Sequence, residues 1–273
     1  IGDRIRQTLP GDTGAFAAAL VTDERRAISK DTTEALRIAG LTHIIAISGL
    51  NMALSAGIFY VGLRYLFSLF PGVAQAWPTK KFAAFGALLT VTAYYLISGF
   101  GVSAERAFIM MAIMLVAVLF DRPSLSLRNV ALSAIVILVL SPSQVLGPSF
   151  QMSYAATLAL VSGYSLWKRR RHRESVLPKI RVLSPLLFVA RFFGGVMSTS
   201  FIGGASTAIF SIEHFHRLAT YGLAANLAAM PVVSFIVMPF GMAAMMLMPL
   251  GLDRPFWKVT GEGLELVIAI AKT

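Results

Sequence analysis

Ala46-Ile47-Ser48-Gly49 has the form of an intramembrane serine nucleophile, a serine followed directly by glycine inside an apolar run. Such a serine needs a histidine base within hydrogen-bond reach. His43 is close in sequence, and His214 and His216 are the distant candidates. Ala46 stands where a G-x-S-G pattern has its first glycine, and no second motif supports proteolysis. A helix-breaking Ser-Gly pair is the alternative, with Gly49 as the release point. The one metal-like cluster is Glu213-His214-x-His216. Histidines at i and i+2 point to different sides of a helix, which favours polar contacts over a metal site. No Gly-Lys pair exists, so a P-loop is excluded, as is a His-Glu-x-x-His zinc helix. Without cysteine there are no disulfides or thiolate ligands. No metal and no cofactor is assigned.

The remaining polar residues lie inside apolar runs, where each is costly unless it meets a polar partner or water. Ser48, Asn51 and Ser55 fall at i, i+3 and i+7, one stripe of a helix. Gln151, Tyr154, Ser162 and Ser165 share a second helical face. Ser103-Ala104-Glu105-Arg106 opens a span, with Ser103 able to cap it and Glu105 suited to the positive helix end. Arg106 is not suited to that end; it snorkels, pairs with Glu105 of a neighbouring helix, or faces a path for anions. Arg191 stands near the start of another span, and Asn226 precedes the helix break expected at Pro231. Two readings stand for these groups: interhelical hydrogen bonding within a bundle, or the lining of an aqueous path.

The elements that carry them are membrane helices. Of 273 residues, 56% are hydrophobic and 14% charged, too few charges to cover a soluble domain of this size. Mean hydropathy is +0.73. The apolar residues run continuously, as over 83–97 and 107–120, near the ~20-residue length a bilayer requires. Barrel strands would alternate instead, so the reading is an all-α, polytopic transmembrane helical bundle. Spans are expected at 41–70, 81–98, 103–120, 126–140, 149–167, 185–210, 218–249 and 255–271. The first is long enough to be broken, and the seventh carries Pro231 and Pro239. Seven to nine crossings result. Residues 1–40 mix six basic with six acidic residues and read as amphipathic, interfacial helices preceding the bundle at 41–273. Asp31 or Thr32 is the expected cap of a helix that Gly40 stops.

Loop charge sets orientation. The loop 168–181, KRRRHRESVLPKIR, holds seven Lys and Arg and is expected in the cytoplasm. Alternation then places the loops with Arg122 and Arg128, and with Lys80 and Lys81, on the same side, and residues 1–40 outside. A net charge of +11 fits loop anchoring first and an anionic partner second.

Four blocks, taken in order, resemble the ComEC-type competence proteins: THIIAISGLNM, SGFGVSAERAFIM, GPSFQMSYAATLAL and HFHRLATYGLAANLAAMPVVSFIVMPFG. Together they cover about residues 30–250. Asn51 stands where that family commonly has histidine, so any titration of that side chain is lost while hydrogen bonding persists.

The resemblance implies an inner-membrane channel that passes single-stranded DNA into the cytoplasm during natural transformation. It implies a DNA-receptor protein outside, a cytoplasmic ATPase motor, and OB-like and metallo-β-lactamase-like domains in the full-length protein. Residues 1–40 offer no OB-like strands, so the transmembrane core alone is expected, a passive conduit with catalysis elsewhere. A phosphodiester strand in a low-dielectric slab needs donors or positive charge along a water-filled path, with aromatic faces for bases. The candidates are Ser48, Asn51, Arg106, Gln151, Arg191 and Asn226, with Tyr154 as a stacking surface. A secondary transporter for a small anion or lipid-linked substrate is the alternative from another class, and a rhomboid-like protease the third.

Overall fold

The computed structural model describes residues 1–70, 72, 76–173, 184–216 and 221–273, and all regular structure among them is helical. Helices α1 (Gly2–Thr8) and α2 (Gly11–Thr22) pack antiparallel around Gly14, where a Cβ would stand 1.9 Å from the Leu9 carbonyl oxygen. Helix α3 (Lys30–Ile38) is capped by Ser29, whose hydroxyl accepts from the Thr32 N–H at 3.2 Å. The cap is therefore neither Asp31 nor Thr32. Asp12 decides it by binding the Ser29 and Thr32 hydroxyls, each at 2.5 Å. Gly40 ends the turn at φ +71°, and the N–H groups of Gly40 and Leu41 return to the carbonyls of Arg37 and Leu36.

The first expected span is broken. Helix α4 (Thr42–Ile45) stops, residues 46–48 are extended, and α5 (Gly49–Ser68) starts again from Ser48. Then follow α6 (Thr79–Ile97), α7 (Val102–Leu119), α8 (Leu127–Leu140), α9 (Pro148–Arg173) and α10 (Ser184–Phe215). Short connections join α6 to α9, and each helix from α5 to α10 packs on the next. The basic segment expected as a loop at 168–181 begins as the end of α9; residues 174–183 lie outside the described residues.

The seventh span is one interrupted helix. Helix α11 (Gly222–Val232) holds Pro231, a π turn follows at Val233–Val237, and α12 (Met238–Leu247) holds Pro239. Each proline removes a donor and crowds the carbonyl four residues earlier. The widened turn accommodates both, with the Met238 N–H reaching the Val233 carbonyl. Pro231 thus widens the helix instead of ending it.

Among the described residues, four elements are long and apolar enough to cross a membrane: Gly49–Ser68, Val102–Leu119, Arg191–His214 and Gly222–Leu250. Helix α8 is shorter, at 14 residues. The last helix, α13 (Arg254–Lys272), expected as a further span, is amphipathic: Trp257, Leu264 and Val267 are buried while Lys258, Glu262 and Glu265 are exposed.

Its buried face meets α2. Expected at a surface, α2 is enclosed from Thr13 to Val21, because alanine and glycine let α1 and α13 approach. A second apolar cluster joins α5, α6 and α7 through Met52, Ala87, Val91 and Ala104. A third joins α7, α8 and α9 through Met110, Val130, Ile137 and Tyr154. Outward positions stay apolar, including Val61, Phe85, Leu89, Ile135 and Phe201, as a hydrocarbon solvent allows.

Candidate functional site

Helix α7 begins at Gly101, not at a Ser103 cap. Gly101 lies against Asp23, which ends α2 in the left-handed region at φ 58°; a Cβ there would come within 2.6 Å of Asp23 Oδ2. The carboxylate takes Arg25 at 2.6 Å and complements the positive end of α7. Nearby, the Tyr94 hydroxyl of α6 donates to the Leu20 carbonyl of α2 at 2.5 Å. The opening turns of α7 are thereby fixed between the end of α2 and the end of α6.

Arg106, on the second turn of α7, is 3% exposed. Its Nη2 donates to Ser149 Oγ of α9 at 2.5 Å, while Nε and Nη1 have no hydrogen-bond partner. No ion pair engages it among the described residues. A guanidinium keeps its charge, and burying an ion costs several kcal/mol in effect. Arg106 is thus a buried cation with two unspent donors.

Polar groups gather around it. Gln144, in the turn Pro142–Leu146, donates from Nε2 to Glu105 Oε2 at 3.3 Å and leaves Oε1 unpartnered. Tyr154 interacts electrostatically with Arg106 and donates to Ser133 Oγ of α8 at 3.0 Å, and Ser133 donates onward to the Val130 carbonyl. The Tyr154 ring sits 4.3 Å from Phe150, inside the third cluster and 6% exposed, so no free face remains for stacking. Gln151 Oε1 lies 2.9 Å from His214 Nε2 at the end of α10.

Of the sequence candidates, Arg106 of α7 and Tyr154 of α9 interact with each other, whereas Gln151 of α9 pairs with His214 of α10. Ser48 and Asn51 do not join them. Ala104 and Ala107 of α7 face α5 in the second cluster, whereas Met110 and Arg106 face α9, so α7 stands between the two polar groups. Asn51 is fully buried, and its Nδ2 donates to the Ala46 carbonyl at 3.1 Å. It holds the break between α4 and α5. Asn51 Oδ1, Ser48 Oγ and, on α11, Asn226 Oδ1 are buried without partners. Arg191 is exposed on α10, 23 residues before His214, or about 35 Å along a helix.

Among the described residues Ser48 Oγ has no hydrogen-bond partner; His43 contacts the Gly40 carbonyl and His214 the Gln151 amide. No group of three His, Cys, Asp or Glu suited to a metal occurs among the described residues. Ser149, Ser133 and Gln144 were missed in the sequence, where a lone serine in an apolar run was the available signal.

A family model described as competence protein matches residues 20–273. The chain belongs to the competence protein family. It is 25% identical over 262 residues to ComE operon protein 3 of Bacillus subtilis (strain 168), covering 96% of this chain and 30% of that protein. It is also 25% identical over 267 residues to the uncharacterized protein YcaI of Escherichia coli (strain K12), covering 94% of this chain and 33% of that one. The chain spans about a third of the length of these curated relatives. No solved structure matches. Within the competence family match fall both polar groups, around Asn51 and around Arg106.

Proposed function

We propose that this chain is the membrane-embedded part of a DNA-uptake apparatus and passes single-stranded DNA through the inner membrane. Membership of the competence family gives the biological setting. The observation that carries the chemistry is Arg106, a buried cation whose Nε and Nη1 lack acceptors. A phosphate oxygen satisfies both charge and donors, and Arg is suited to bidentate phosphate contact. Ser149 holds the side chain by one hydrogen bond, and Glu105 attracts it electrostatically. Ser48, Asn51 and Asn226 offer further unpartnered oxygens to water or to base edges, and Arg191 a cation farther along α10. Helices α5 to α10, with the interrupted α11–α12 element, give seven crossings. The start of α5 then lies outside and the basic segment inside. A receptor outside, a cytoplasmic motor, and OB-like and metallo-β-lactamase-like domains are the partners of this reading, and no bond is broken within this chain.

The test is import of labelled single strands in transforming cells. Arg106→Ala combined with Asn51→Ala lowers import while membrane insertion is unchanged. Normal import in that variant removes the pore assignment, and normal import after deletion of the whole chain removes the channel.

A further inference from the structure

A cavity of about 300 Å³ lies between α2, α5, α6, α12 and α13. Leu20, Phe59 and Met242 give it an apolar wall. Four hydroxyl side chains also reach it, Ser55, Thr90, Tyr94 and Thr260, the last three spent on the carbonyls of Gly86, Leu20 and Phe256. Trp257, 1% exposed, adds one unpartnered donor at Nε1. A buried water makes about three hydrogen bonds, whereas apolar cavities stay dry and accept apolar molecules. The wall therefore selects hydrocarbon over water.

The cavity opens past Met246, which is 58% exposed on α12, with Leu250 71% exposed one turn beyond. Both belong to Gly222–Leu250, one of the elements fit to cross a membrane. The mouth is thus continuous with a surface suited to lipid tails. Methionine at Met242, Met245 and Met246 gives the entrance side chains that adapt to a flexible occupant.

We propose that this cavity holds one acyl chain of a bilayer phospholipid, which enters past Met246 and lies against Trp257. The inference rests on the bundle lying in a bilayer and is independent of what the bundle transports. The bound chain fills the space between the α2–α13 pair and the α5–α6 pair, and so joins the two parts of the molecule.

The protein has three tryptophans, so the full chain carrying Trp77→Phe and Trp167→Phe reports on Trp257 alone. It is reconstituted in phosphatidylcholine vesicles whose acyl chains carry bromine near mid-chain, a contact quencher of indole. Co-flotation with the vesicles checks membrane location separately. The expected result is quenching of Trp257 by brominated chains and none by aqueous acrylamide. Gly241→Leu fills the cavity: a Cβ at Gly241 has its nearest neighbour, Thr260 Cγ2, at 3.7 Å. That variant loses the bromine quenching. Ala93→Leu, on the opposite wall, gives the same reading should Gly241→Leu fail to fold. Three results overturn the proposal: no quenching by bromine, quenching by acrylamide, or bromine quenching that persists in a folded, filled variant.

Discussion

Asp253, fully buried, accepts from both Arg4 Nε at 3.0 Å and Arg4 Nη2 at 2.5 Å, tying the first helix to the start of the last. A second tie closes the other end, where Lys272 Nζ reaches Asp31 at 3.1 Å. The Arg4 hydrogen bond holds the Asp253 carboxyl below its ordinary value of 3.8, and the Ser29 and Thr32 hydroxyls do the same for Asp12. A depressed folded value means stability that is present above the ordinary carboxylate range and lost as pH falls through the folded value. Thermal unfolding in detergent is therefore expected to move to lower temperature below about pH 4. Asp253→Asn shows less of that acid dependence than the parent chain, although it is less stable at neutral pH. An identical acid limb in both proteins would remove Asp253 from the account.

Arg106→Lys and Arg106→Gln separate charge from hydrogen bonding in the polar group of α7 and α9. Lysine keeps the charge but presents no planar fork. If phosphate contact is the purpose, lysine retains part of the import of labelled single strands and glutamine loses most of it. If the guanidinium serves packing alone, the two variants fall together with the stability of the helix bundle, which thermal unfolding measures.

The sequence made the helices legible because a bilayer demands long apolar runs, and the positions of α6 to α10 lie close to the expected spans. It misled at α2, where scattered charges in residues 1–40 hid a fully enclosed stretch of alanines. It misled again at α13, where apolar content concealed a period that segregates Lys258, Glu262 and Glu265 to one side. Arg106, Gln151 and Tyr154 were visible as polar residues in apolar runs, but their partners were not. Ser149 and Ser133 come from other helices, and no local spacing encodes which helix lies beside which. The separation of Asn51 from Arg106 by α7 was hidden for the same reason.

Tyr154→Phe removes the bond to Ser133, whose own hydroxyl still donates to Val130. Hydrogen bonds between membrane helices average about 0.6 kcal/mol. The expected cost is accordingly small, roughly 0.5–1.5 kcal/mol on a denaturation curve. Import should be unchanged, because the ring is enclosed and offers no face to a passing base. A large loss of import with unchanged stability would instead return Tyr154 to the conducting path.

Two glycines distinguish a fold held by close backbone approach from one held by side-chain packing alone. Gly14→Ala places a Cβ 1.9 Å from the Leu9 carbonyl oxygen, which is backbone and cannot swing aside. Gly57, within α5, has nothing within 4 Å of the same position. Gly14→Ala is expected to force α1 and α2 apart and to cost more than about 4 kcal/mol, the range reserved for strain at special positions. Gly57→Ala is expected to stabilise α5 slightly, since alanine loses less backbone freedom in a helix. Protease resistance of α1 and the temperature of unfolding report both effects. Equal behaviour of the two variants would mean that α1 is not clamped on α2, and with it the Arg4 tie to Asp253 would lose its footing.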